Sequence, residues 1–118
     1  MRLNEVVYST GVPVDGYGPG IFRVGGQAHQ GALLILPDRG VSAWGGFDDL
    51  AAILAAADRV DVLLLGTGAE IAHPPPEMRE RLEAVGIGVE AMASPAACRS
   101  YNVLLGEGRR VALAALPV

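Results

Sequence analysis

Ser94, Cys98 and Asn102 stand four residues apart in turn, so a helix through them carries all three on one face. Ser94 followed by Pro95 reads as a helix cap with proline at the first helical position, which puts Cys98 in the first turn. There the helix dipole favours a thiolate, and the neighbouring Arg99 does the same, so the residue types allow a reactive cysteine. Two facts weigh more on the other side. A lone cysteine commonly serves as a small buried packing residue, and no histidine lies near it in sequence to act as a base. Asn102 carries an amide that must find several hydrogen-bond partners, and Glu107 with Arg109 can form an ion pair beside the same helix end.

A second candidate is the loop Gly66-Thr67-Gly68, placed directly after an apolar run. Ligands in open α/β sheets dock at the carboxyl ends of strands, where exposed backbone N–H groups and a hydroxyl can receive a carboxylate or phosphate. The run lacks the GxGxxG fingerprint, and a strand-to-helix turn calls for glycine in any case. His29 and His73 have no metal-ligating companion at helical spacing, so no metal and no cofactor is expected. His73 follows the glycine loop within reach of a ligand there, which allows a proton-transfer role.

Composition removes whole classes of function. All nine basic residues are arginine, which excludes Schiff-base chemistry, a phosphate-loop lysine and a lysine general base. A net charge of −4 without a basic cluster argues against nucleic acid as a partner. Cys98 is the one cysteine, so an internal disulfide and a cysteine-rich zinc site are excluded and a reducing compartment fits. The N-terminal residues have no apolar core of signal-peptide length and no run reaches membrane-span length, from which a cytoplasmic protein is expected.

The elements that position these residues follow from periodicity. With 118 residues, 51% of them hydrophobic, the chain is expected to form one domain spanning 1–118, with residues 1–19 as an irregular N-terminal arm. Ile21 to Val24, the pair Gly25-Gly26 and a segment reaching Ala32 to Leu36 read as a β-hairpin, with Gly31 at a bulge. Pro37 to Gly40 is a turn before a short strand, Val41 to Trp44. A helix capped by Asp48 follows, with Leu50, Ile53, Leu54 and Ala57 on one face. Val60 to Leu65 is apolar throughout, as in a central strand covered on both faces. A helix over Glu77 to Val85 turns Met78, Leu82 and Val85 inward; a strand over Val89 to Met92, a helix from Ser94 to Leu105 and a strand over Val111 to Leu116 complete the chain. The predicted fold is a three-layer α/β domain with a mixed central sheet, an N-terminal hairpin region and C-terminal strand-helix alternation. Trp44, Leu54, Val62, Leu64, Leu82, Leu104 and Leu113 are its expected core.

Three segments carry a resemblance: Gly31 to Pro37 with Trp44; Leu63-Leu64-Leu65-Gly66-Thr67-Gly68; and Ala96-Ala97-Cys98-Arg99-Ser100-Tyr101-Asn102-Val103-Leu104 through Glu107-Gly108-Arg109. Over nearly its whole length the chain resembles an uncharacterised domain family with an MTH-type α/β fold. That family includes a mitochondrial respiratory complex I (NADH dehydrogenase) assembly factor and bacterial homologues. The resemblance implies a three-layer fold and a factor that binds other proteins, membrane-complex subunits or export machinery among them. It implies no catalytic residue.

Two functional readings stand. The favoured one is a non-catalytic interaction or assembly factor, which expects an exposed apolar patch. The alternative is a small-molecule binder or enzyme that brings Gly66, Thr67, Gly68, Cys98 and Asn102 around one concavity. Within the site, Cys98 is expected to be buried and inert, and Asn102 to anchor the Gly66 to Gly68 loop.

Overall fold

A computed structural model describes residues 11–118. The order of elements is β1 (Val14–Gly18), β2 (Ile21–Val24), β3 (Gln27–Gln30), β4 (Leu33–Leu36), β5 (Gly40–Ala43), α1 (Ala51–Ala55), β6 (Val62–Thr67), α2 (Pro76–Glu83), β7 (Gly88–Met92), α3 (Ser94–Gly106) and β8 (Val111–Leu116). Five strands form the central sheet in the order β5-β4-β8-β6-β7. It is mixed: β8, β6 and β7 run parallel, while β4 is antiparallel to both β8 and β5.

Alternation along the strands divides the core between the two faces of this sheet. Leu34, Leu36, Leu63, Leu65, Ala112 and Ala114 pack with Ile53 of α1 and with Met78 and Leu82 of α2. Leu33, Ile35, Leu64, Val111, Leu113 and Ala115 face the other way, onto Cys98, Tyr101 and Leu105 of α3 and onto Val14, Phe22 and Val24. The result is the expected three-layer α/β domain, in which the third layer combines α3 with a small antiparallel sheet, β1-β2-β3.

That small sheet corrects two expectations. Residues 14–18 are not an irregular arm but a strand, paired antiparallel to β2 with a register shift between Val14 and Gly16; residues 1–10 of the expected arm lie outside the described residues. The hairpin that turns at Gly25-Gly26 returns only through β3, with Val24 opposite Gln27. Gly25 and Gly26 sit at φ 60° and 80°, the doubly left-handed geometry that a two-residue turn needs to match strand twist. The apolar run Leu33 to Leu36 then belongs to the other sheet, because it is buried on both faces and only the central sheet offers two covers.

Smaller departures concern helix ends and burial. Asp48 does not cap α1, which begins after Leu50 without a side-chain cap; Asp49 instead accepts a bond from Gly45 N (2.8 Å), and its carbonyl accepts the Trp44 indole N–H (2.9 Å). α2 closes at Glu83, and Val85 is 44% exposed rather than inward, since the helical period ends before reaching it. Trp44, Leu64, Leu82 and Leu113 are buried as expected, whereas Leu54, Val62 and Leu104 lie at the edges of the layers and are only partly covered.

Candidate functional site

α3 starts at Ser94, with Ala93 at the cap position, so Ser94 is the first helical residue and Pro95 the second. Ser94 is therefore not the cap. Its hydroxyl turns into the sheet, donating to Leu116 O (2.6 Å) and accepting from Gly68 N (2.9 Å), while Ser94 N donates to Gly68 O (2.8 Å). The first turn of α3 is thus riveted to the ends of β6 and β8. The contact is tight enough to dictate a residue type: a Cβ at Gly66 would stand 2.6 Å from Ser94 Oγ and 2.9 Å from its Cα.

Thr67 spends its hydroxyl locally. Its proton is shared between Glu70 O (2.9 Å) and Met92 O (3.2 Å), and its oxygen accepts from Ala72 N (2.9 Å). These bonds fold residues 67–72 into a fixed loop that exposes Ile71 to the extent of 68%. Gly68 at φ 106° completes the turn.

Asn102 does something other than expected. It does not anchor the glycine loop. Val14 N donates to its Oδ1 and its Nδ2 donates to Val14 O, both at 2.8 Å, so the amide mimics a neighbouring strand and pins β1 onto α3. Tyr101 supports the same edge by donating its hydroxyl to Val12 O (2.9 Å). The correction has a spatial reason: four residues after Cys98 the helix surface looks toward β1, while the glycine loop lies at the far, N-terminal end of α3.

Cys98 is 4% exposed, next to β1 and beneath Arg99. Burial pushes its thiol up to about 11, and Arg99 pulls only weakly against that. The sulfur is protonated at neutral pH. Cys98 and Asn102 share a small cleft of about 170 Å³ with Asp15, Tyr17 and Pro95. Glu107 and Arg109 are exposed at the opposite end of α3 and do not pair with each other. The ion pair at that end is Arg110 with Asp61, bidentate at 2.6 and 3.1 Å, and the hydrogen bonds from this guanidinium hold the Asp61 carboxyl below its usual range.

The singled-out residues therefore occupy three places: the riveted loop, the β1 contact and the exposed C-terminal end of α3. Sequence reasoning missed Ser94 as the rivet and Arg110 as the paired arginine. Ser94 before Pro95 carries the local signal of a cap, and no spacing rule links it to Gly66, Gly68 and Leu116. No cluster of three or more metal-ligating side chains occurs among the described residues, and none of their helices is long and apolar enough to cross a membrane.

Residues 14–116, nearly the whole described fold, match the model of a protein family of unknown function (DUF498/DUF598). The chain belongs to this family. An uncharacterized protein of Rhodobacter capsulatus is 50% identical across all of this chain and 94% of its own length. The zebrafish (Danio rerio) NADH dehydrogenase [ubiquinone] 1 alpha subcomplex assembly factor 3 is 30% identical over 92% of this chain, which spans 66% of that protein. Among solved structures, a Bartonella henselae protein described as an outer membrane protein superposes with a TM-score of 0.83 at 35% identity, covering 91% of this chain and 95% of its own. A Bordetella pertussis protein described as an Mth938-like domain gives a TM-score of 0.75 at 31% identity, covering 99% and 92%. The resemblance drawn from Gly31 to Pro37, Leu63 to Gly68 and Ala96 to Arg109 is thus the family to which the chain belongs.

Proposed function

We propose that this protein is a non-catalytic interaction factor that holds other proteins during the biogenesis of a membrane-bound complex, a respiratory NADH dehydrogenase first and export machinery second. The observation that carries the reading is the Ile71 loop. Among the described residues its side chain is the most exposed of the large apolar ones, at 68%, and Thr67 fixes the backbone that presents it. A rigid apolar anchor loses little entropy on docking, which is what a protein-binding surface requires. The similarity to vertebrate complex I assembly factors supports the choice of client. A reducing, cytoplasmic site of action accords with the lone thiol of Cys98.

The alternative, a small-molecule site or enzyme built on Gly66, Thr67, Gly68, Cys98 and Asn102, draws little support from these side chains. The hydroxyl of Thr67 and the amide of Asn102 are spent inside the fold, and Cys98 is a buried neutral thiol.

Deleting the gene in its host and resolving the membrane complexes on native gels tests the proposal. Assembled NADH dehydrogenase should fall, return with the wild-type gene, and fail to return with Ile71→Asp although that variant folds. Normal assembly in the deletion strain, or full rescue by Ile71→Asp, would refute it.

A further inference from the structure

Between α3 and the edge strand β7 lies an open groove of about 530 Å³, lined by Leu64, Glu90, Arg99, Ser100, Val103 and Leu104. We propose that this groove is the contact face for a second copy of the same chain, with α3 of each copy seated over the groove of the other about a two-fold axis. The inference goes beyond the reading of the Ile71 loop and does not depend on it.

Two features of the groove are their own complements. The first is shape. Val103 stands out on the helix wall, 59% exposed, beside a hollow whose apolar wall is the half-buried Leu104, with the fully buried Leu64 at its floor. In a two-fold contact each copy's projection meets the other's hollow, because residue i on one side faces residue j on the other and the converse holds. The second is charge. Glu90 lies on the strand wall, in register with Leu64 and so on the α3 side of the sheet, while Arg99 lies on the helix wall. No ion pair joins them within one chain. A two-fold axis running along the groove sets Arg99 of each copy against Glu90 of the other, giving two pairs from one acid and one base.

One outward-facing carbonyl of the β7 edge is already engaged by a side chain, which favours helix packing over sheet extension there. Gly88 N bonds Asp61 O on the β6 side, so Val89 turns its backbone outward. Its carbonyl accepts the Arg79 guanidinium at 2.7 Å, and Glu83 steadies that arginine one turn along α2. A covered carbonyl on an outer strand works against edge-to-edge association. Each copy carries a net charge of −4, yet this repulsion is screened within about 8 Å at physiological salt, so the local pairs decide the contact.

Sedimentation velocity on the purified full chain, over a concentration series reaching the high micromolar range, tests the proposal. The wild type should dimerise. Val103→Asp should abolish the dimer, Arg99→Glu should weaken it by about tenfold, and the double variant Arg99→Glu/Glu90→Arg should restore it. All three residues are solvent-facing, so thermal melts of the variants should match the wild type. A wild type that stays monomeric throughout, a dimer indifferent to Val103→Asp and Arg99→Glu, or a double variant that fails to recover overturns the proposal.

Discussion

Asn102 and Val14 exchange two hydrogen bonds of 2.8 Å across 88 residues of chain, with the amide oxygen receiving the Val14 N–H and the amide nitrogen donating to its carbonyl. This is how the three-stranded sheet is attached to α3. Asn102→Ala leaves both backbone groups without partners in a half-buried place, and should cost about 2–3 kcal/mol in denaturant unfolding. Asn102→Asp is the sharper variant, since a carboxylate keeps the acceptor but faces the Val14 carbonyl with a second acceptor. It should also be destabilising, and amide exchange should show β1 released before the central sheet.

The close approach of Gly66 to Ser94 predicts a non-additive pair. Gly66→Ala overpacks the contact and should cost about 1–3 kcal/mol, because the new methyl meets Ser94 Oγ at 2.6 Å. Ser94→Ala removes the bonds to Gly68 N and Leu116 O and should cost about 1–3 kcal/mol. Removing the hydroxyl relieves part of the overlap, so the double variant should lose less than the sum of the two. Strict additivity in a double-mutant cycle would show that the two positions do not touch.

Cys98 predicts a particular alkaline limb. Its thiol is raised from 9.0 to about 11 in the folded state, so the folded protein holds the proton that the unfolded chain releases. Stability from this group is complete below the unfolded value and declines as pH rises from about 9 through 11. Tyr101, also pushed upward by burial, adds a loss of the same sign. Cys98→Ala should therefore flatten the fall of melting temperature over this window. The native thiol should react slowly with a disulfide reagent at neutral pH and rapidly once unfolded; fast native modification would contradict the burial of the sulfur.

Leu64 is fully buried on the α3 side of β6, between β8 and β7. Leu64→Ala should cost about 2–5 kcal/mol through lost burial and the cavity left behind. A denaturation midpoint equal to that of the wild type would place the side chain outside the core.

Periodicity and turn chemistry in the sequence alone determined most of the elements and the α/β layering. Apolar runs of period two and faces of period 3.6 are local properties, and Leu63 to Leu65, the helix over Ser94 to Leu105 and the turn at Gly25-Gly26 declare themselves without reference to anything distant. Composition likewise sufficed to exclude lysine chemistry and an internal disulfide. The tertiary structure decided the partners. Residues 14–18 have no apolar period and became a strand because β2 and the Asn102 amide supply their hydrogen bonds. The assignment of β4 to the central sheet, the turning of Ser94 inward to Gly68 rather than toward its own helix, and the pairing of Arg110 instead of Arg109 all depend on groups brought close only by folding. A residue type states how many hydrogen bonds a side chain must make, but the group across the fold that receives them is set by where the layers meet.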